Sequence, residues 1–133
     1  MTLKELINNF RNDNSNKVKY GEFLQKLFDM HNNDETLMVL GRIVQEDGKE
    51  NITMVRKRLE DENYILLFTE DADAIPKLME NKNNYMLMEI KVKVLFDVLL
   101  SGNDADGFIF NDGDGEGNVM LAKENLIRII EMQ

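Results

Sequence analysis

The chain has no cysteine and only one histidine among its 133 residues. Without cysteine there is no disulfide framework, no thiolate metal ligand and no cysteine nucleophile. A serine nucleophile needs a base beside it, and serine occurs only at Ser15 and Ser101, both in predicted loops. The single histidine, His31, falls at the end of a predicted helix, where an imidazole is usually a surface or capping residue. We therefore predict no catalytic residues and no enzymatic activity.

Positive charge and long apolar runs are also scarce. The 16 Lys and Arg are outnumbered by 25 Asp and Glu, which gives a formal net charge of -9. Nucleic acid and anionic membrane both bind clustered cations, so both are disfavoured as partners. The favoured partner is a basic protein, and the alternative is no partner. No apolar stretch approaches the roughly 20 residues of a membrane helix, and "MTLKELINNF" lacks the pattern of a signal peptide. We expect a cytoplasmic protein without a cofactor.

Two amphipathic helices are predicted at the N-terminus. Thr2 and Glu5 match a capping box, and apolar residues then recur at helical spacing. A second apolar stripe begins at Tyr20 and ends at about His31, after which polar residues change the character of the chain. The predicted boundaries are 1–133 for a single domain, 1–33 for the N-terminal helices and 36–132 for a sheet-containing core.

The core has the short apolar runs and turn residues of a β-sheet. "TLMVLGRIV" and "NITMVRKRL" flank Asp47-Gly48, a strong hairpin signal, so we predict that they pair as antiparallel strands. "YILLFT", "YMLMEIKV" and "DGFIFND" are further strands. An acidic helix after Thr69 and a leucine-rich helix with a left-handed cap at Gly102 separate them. This alternation predicts parallel strands with right-handed crossovers.

Residues near the C-terminus complete the predicted fold. "NVMLA" is the hairpin partner of "DGFIFND", and "KENLIRIIEM" is a closing helix with Leu126, Ile129 and Ile130 directed inward. The predicted class is α+β: a mixed β-sheet with a parallel βαβαβ centre, antiparallel hairpins at both ends, helices packed on the sheet and two N-terminal helices.

Two other patterns have structural interpretations. The basic run from Arg56 to Arg58 is interpreted as charge along a strand edge, where it discourages edge-to-edge pairing. The methionines of "YMLMEI", with Met38, Met54 and Met79, are interpreted as core residues, and an adaptable binding face is the alternative.

One edge of the predicted sheet is a candidate binding site. If "YILLFT" and "DGFIFND" run parallel, their carboxyl ends bring Thr69, Glu70 and Asp71 near Asn111 and Asp112. Open α/β sheets usually bind ligands at this edge. The alternative is structural, because turns and helix N-termini recruit the same residue types.

The stretch "NDGDGEGN" has carboxylates on alternate residues, as a calcium-binding loop does. Asp112, Asp114, Glu116 and Gly117 match the first positions of an EF-hand loop. The twelfth position is Lys123, where the site needs a bidentate glutamate, and the flanking runs are typical of strands instead of helices. We therefore favour a solvated hairpin tip and predict no metal site.

The order of "YILLFTEDADAIPKLM", "YMLMEIKVKVLFDVLL", "DADGFIFND" and "LAKENLIRII" resembles the SseB N-terminal domain family, named for enhanced serine sensitivity in bacteria. The resemblance covers residues 36–132. The family commonly carries "FTS" and Asn-Pro, where this chain has Glu70 after Phe68-Thr69 and Asp112 after Asn111. It implies a fold and a bacterial cytosolic setting, and the family has no established enzymatic activity to carry over.

Three functions remain open from the sequence. The first is a non-enzymatic, SseB-like protein that acts through protein–protein contacts with an unidentified partner. The second is an acidic, immunity-like protein that neutralises a basic toxin or enzyme. The third is a calcium or small-ligand binder that uses the acidic edge.

Overall fold

The computed structural model describes residues 1–69, 85–102, 104–111 and 119–131. The predicted acidic helix after Thr69 and the glycine-rich loop therefore lie outside the described residues. Within those ranges the helices are α1 (Leu3–Asn12), α2 (Lys17–Asn32), α3 (Val92–Ser101) and α4 (Lys123–Glu131). The strands are β1 (Thr36–Glu46), β2 (Lys49–Met54), β3 (Arg56–Leu59), β4 (Glu62–Phe68), β5 (Tyr85–Lys91), β6 (Gly107–Phe110) and β7 (Val119–Ala122). The predicted α+β class is confirmed.

All seven strands in the described residues belong to one mixed sheet. β4 and β6 pair in parallel, as predicted, and β7 pairs with β6 as its antiparallel hairpin partner. β5 pairs only with β1 among the described strands. It runs in the same sense as β4, because both are antiparallel to β1. β1 lies between β5 and β4, so of the three predicted parallel strands only β4 and β6 are neighbours.

The sheet divides at Val55 in a way that the sequence pattern did not predict. Met38 and Val39 pair with both β5 and β4, and Gly41 and Arg42 pair with both β5 and β2. β2 and β4 therefore share one edge of β1. Ile65 pairs with both β3 and β6, and Leu67 pairs with both β1 and β6. β3 and β1 therefore share the edge of β4 that does not pair with β6. Both β2 and β3 thus lie between β1 and β4.

Val55 joins the two arms of this division. Its N–H donates to the Leu40 carbonyl at 2.9 Å, and its carbonyl accepts from the Leu66 N–H at 3.4 Å. The prediction of one strand over "NITMVRKRL" is wrong, because the chain leaves β1 at Val55 and pairs with β4 from Arg56 onward. The predicted turn at Asp47-Gly48 is confirmed, since both residues have the positive φ that a type I′ turn requires.

Alternate residues of β4 and β6 enter two separate hydrophobic clusters. Ile65, Leu67 and Phe108 belong to the cluster that the four helices cover, whereas Leu66 and Ile109 belong to a cluster on the opposite face. All of β6 and every residue of β4 from Tyr64 to Phe68 are buried. The strand predicted at "YILLFT" is confirmed, and the structure shows that it is buried on both faces.

Four helix details show where local patterns were informative and where they failed. The capping box of Thr2 and Glu5 is confirmed. α2 begins earlier than predicted, because the Asn16 side chain accepts from two backbone N–H groups of the first turn. The left-handed cap predicted at Gly102 is wrong, since this residue is extended, and Ile130, predicted inward, is exposed. No helix in the described ranges is long and apolar enough to span a bilayer.

Among the described glycines, Gly107 has the least room for a side chain. A Cβ there would meet the Leu121 carbonyl oxygen and would lie 3.0 Å from the Ala122 Cα, both backbone atoms. We expect Gly107→Ala to lower the free energy of unfolding by about 1–3 kcal/mol, because β7 has to move away. Gly41→Ala is the matched control, since its Cβ would meet only side-chain atoms, the flexible end of Met88 and the Ile52 Cγ2. Equal denaturant midpoints for the two variants would contradict this prediction.

Candidate functional site

Thr69 and Asn111 lie side by side at the carboxyl ends of β4 and β6, as the sequence predicted. The Thr69 N–H donates to Asn111 Oδ1 at 2.8 Å, and Asn111 Nδ2 donates to Thr69 Oγ1 at 3.1 Å. Asn111 N–H in turn donates to the Leu67 carbonyl at 2.8 Å. The parallel register of β4 and β6 sets this geometry, because it places Leu67 opposite Phe110, one residue before Asn111.

The local conformation explains why an asparagine follows β6. Asn111 has a φ of 52°, in the left-handed region that asparagine tolerates better than most residues. This conformation turns the chain out of the strand while the amide side chain reaches back to Thr69. Thr69 is only 6% exposed, so its polar atoms need partners within the protein. The pair therefore satisfies the polar groups at this end of the sheet.

The other predicted members of the site cannot be placed. Glu70, Asp71 and Asp112 lie outside the described residues, as does the rest of the glycine-rich stretch compared with a calcium loop. Within the described ranges, no group of three or more His, Cys, Asp or Glu side chains could hold a metal ion. The described part of the edge is thus an uncharged pair of hydrogen-bonded side chains.

A second polar cluster lies at the opposite ends of the same strands, and the sequence pattern did not reveal it. Asp106 accepts from the Asn63 N–H through Oδ2 at 2.9 Å, and its own N–H donates to the Asn63 carbonyl at 2.7 Å. The Asp106 carbonyl accepts from the Lys123 N–H at 2.7 Å, which fixes the start of α4. The sequence shows Asp106 directly before the "GFIF" strand. Its partner Asn63 could not be predicted, because that contact depends on the register of β4 and β6.

Tyr64 is the group in this cluster whose pKa is shifted most. Its hydroxyl donates to Glu62 Oε2 at 2.5 Å. This hydrogen bond, followed by burial and by the negative charges of Glu62, Asp106 and Glu60, raises the pKa of Tyr64 to about 12. Each of these influences favours the neutral phenol over the phenolate. At neutral pH Tyr64 is therefore a hydrogen-bond donor and cannot serve as a base.

His31 and a hollow beside Tyr20 are two further features of the described residues. His31 stacks on Phe96 with ring centroids 5.2 Å apart, and its Nδ1 lies 3.2 Å from Asn32 Oδ1. A hollow of about 240 Å³ lies beside Tyr20, whose pKa is raised by burial against the opposing effect of a hydrogen bond with Asn125. The hollow is lined by Phe10, Asn14, Ser15, Asn16, Lys17, Tyr20 and Met120.

Comparisons of the chain with protein-family models, with curated proteins and with solved structures found no match. The resemblance to the SseB N-terminal domain family therefore stays a prediction from the quoted motifs.

The Thr69–Asn111 pair can be tested by stability. We expect Asn111→Ala to lower the free energy of unfolding by about 1–3 kcal/mol, because buried polar groups of Thr69 lose their partners. Asn111→Asp keeps oxygens that can accept from Thr69 and should lose less. Asn111→Gly loses the same hydrogen bonds as Asn111→Ala but accommodates the positive φ of this position. The difference between the two variants therefore separates the lost hydrogen bonds from the backbone strain of alanine. Urea unfolding of the three variants provides the measurement, and an unchanged midpoint for Asn111→Ala would refute the structural role.

Ionisation of Tyr64 should lower the free energy of unfolding at high pH. Because its folded pKa of about 12 exceeds the ordinary value of 10.0, the unfolded chain releases this proton first as the pH rises. The stabilising contribution is fully present below pH 10 and is lost between about pH 10 and 12. Tyr64→Phe should show a shallower decline in this window.

The ultraviolet absorbance of the phenolate reports the titration directly. Glu62→Gln keeps an acceptor oxygen but removes the charge, so Tyr64 should ionise at lower pH in this variant. A Tyr64 titration that is identical in the wild-type protein and in Glu62→Gln would show that Glu62 is not the cause.

Proposed function

We propose that the protein binds another protein and performs no chemistry of its own, in a bacterial cytoplasm, as the resemblance to the SseB N-terminal domain family implies. The observation that supports this most directly is the Thr69–Asn111 pair at the predicted edge. A buried hydroxyl hydrogen-bonded to an amide has no base to activate it, since an amide does not accept a proton at neutral pH. The pair fixes the backbone at Thr69 and Asn111, directly before the acidic sequences that start at Glu70 and Asp112.

The charge of the chain favours a basic partner. Glu70 and Asp71 follow Thr69 directly, and Asp112, Asp114 and Glu116 follow Asn111. With a net charge of -9, the protein attracts a basic surface over long distances, which raises the association rate. An immunity-like neutraliser of a basic toxin is the second candidate, and the same charge favours it. The two differ in affinity, because neutralisation requires a tight, stoichiometric complex.

Neutralising the predicted edge should weaken capture of the partner. We expect the triple variant Glu70→Gln, Asp71→Asn, Asp112→Asn to recover much less of a basic protein from a bacterial lysate than the wild type does. The matched control is Glu22→Gln, Asp97→Asn, Glu131→Gln, which removes the same charge from exposed positions on helices. Recovery should be measured in low and high salt, because screening weakens electrostatic association.

The outcomes separate the candidates. Loss of capture in the edge variant alone supports binding at this edge, and a complex that survives high salt favours the immunity-like function. Equal losses in both triple variants would show general charge attraction and would contradict a site at the edge. Melting temperatures close to that of the wild type ensure that both variants are folded.

A further inference from the structure

β2 and β3 leave two strand edges directed toward each other. We call this region, formed by β2 (Lys49–Met54) and β3 (Arg56–Leu59) on either side of Val55, the fork. β2 pairs with β1 on one side and β3 pairs with β4 on one side. Among the described residues, no strand pairs with the second edge of either one. An unpaired edge presents N–H and C=O groups that can accept another strand.

The register identifies the backbone groups that line the fork. In antiparallel pairs, residues that bond to the partner strand alternate with residues that point away from it. Val55 N–H donates to Leu40, so in β2 the residues that point away from β1 are Met54, Ile52 and Glu50. The Leu66 N–H donates to Val55 on the other side, and the same alternation directs Arg56 and Arg58 away from β4. These backbone groups face into the fork.

The side chains of β2 show that the fork is open to solvent. Five of its six residues are exposed, so neither face of the strand is covered. Ile52 is 51% exposed although it is a large apolar residue. Its Cγ2 and the Met88 Cε converge over Gly41, where an added Cβ would lie 3.1 Å and 2.7 Å from them. An apolar contact point therefore lies beside the unpaired edge of β2.

The fork is also the basic part of an acidic protein. Residues 49–58 hold four Lys and Arg and one Glu, whereas the chain as a whole has a net charge of -9. Arg56 pairs with Asp104 at 2.6 Å and Arg58 with Asp61 at 3.2 Å. Both ion pairs are solvent-exposed, and such pairs contribute about 0–1 kcal/mol. A guanidinium has five N–H donors, so each arginine can bind a second carboxylate.

We propose that the fork binds an acidic, extended segment of a partner protein as an added strand along β2. The backbone of that segment pairs with Ile52 and Met54. Ile52, Arg56 and Arg58 lie on one face of the sheet, because Met54, two residues from Ile52, and Ile65, opposite Arg56, both contact the helix-covered cluster. Carboxylates on that face of the segment contact the two arginines, and its apolar residues point to the other face, on the side of Val55 and Leu59. Backbone pairing supplies affinity and the alternating side chains supply selectivity. This surface is independent of the acidic edge and needs a partner of the opposite charge.

A labelled six-residue peptide of alternating Glu and Val, which matches the length of β2, is the probe, and fluorescence anisotropy measures its binding. A Lys–Val peptide should bind at least about tenfold more weakly, because like charges would face each other. Arg58→Glu should reverse this preference. Lys93→Glu, which makes the same charge change on the exposed side of α3, should keep it.

Two variants at one position test the backbone pairing. Ile52→Pro removes an N–H that faces the fork and makes no bond to β1, so we expect binding at least about tenfold weaker in a folded protein. Ile52→Thr keeps the N–H and should lose much less. If Ile52→Pro fails to fold by circular dichroism, a Glu–Val peptide with N-methyl groups on alternate residues makes the same test from the ligand side.

Several results would overturn the proposal. These are wild-type binding by Ile52→Pro, undiminished binding of the N-methylated peptide, or equal losses in Arg58→Glu and Lys93→Glu. Sedimentation should show a monomer without peptide. A dimer whose fork amides are protected from hydrogen exchange would make a second copy of the chain the occupant instead.

Discussion

The burial of β4 and β6 on both faces is the constraint on which the other features depend. A fully buried large apolar side chain contributes roughly 1.5–3 kcal/mol, and Ile65, Leu67, Phe68, Phe108 and Ile109 each have at most 1% of their surface exposed. This gain is available only if both sides of the strand pair are covered. The helices cover one side, and a second hydrophobic cluster that includes Leu40 and Tyr64 forms on the other.

Because the interiors of these strands are apolar, polar side chains can act only at the strand ends. At the carboxyl ends, Asn111 and Thr69 satisfy each other's polar groups. At the amino ends, Asp106 binds the backbone of Asn63 on the neighbouring strand. The two ends therefore differ in the side chains that pair the neighbouring strands. The described pair at one end is uncharged, whereas at the other end the Asp106 side chain accepts from the Asn63 N–H.

The sequence was informative wherever a local pattern decides the structure. The capping box at Thr2 and the turn at Asp47-Gly48 depend on neighbouring residues alone, and both were predicted correctly. The contact between Thr69 and Asn111 was also predictable, because parallel strands end at one edge.

The division of the sheet at Val55 could not be predicted, since it depends on which of two strands pairs with the residues after Met54. The second hairpin turn is formed by Glu60 and Asp61, which lack the glycine that normally marks such a turn. Without that signal, Arg56 to Leu59 read as a continuation of β2 and not as the partner of β4.

This second turn also explains why the arms of the fork stay separate. Glu60 and Asp61 both have positive φ, a conformation that costs a residue other than glycine roughly 1–2 kcal/mol. The turn is retained because it sets the register that places Arg56 opposite Ile65 and Leu59 opposite Glu62. β1 and β2 form the other hairpin, which has its own two-residue turn at Asp47 and Gly48. Two-residue turns with positive φ match a right-handed twist of the strands that they join. The two twisted hairpins are joined at Val55 and by the short pairing of Met38 and Val39 with β4. Beyond these contacts they diverge, so β2 and β3 do not pair with each other.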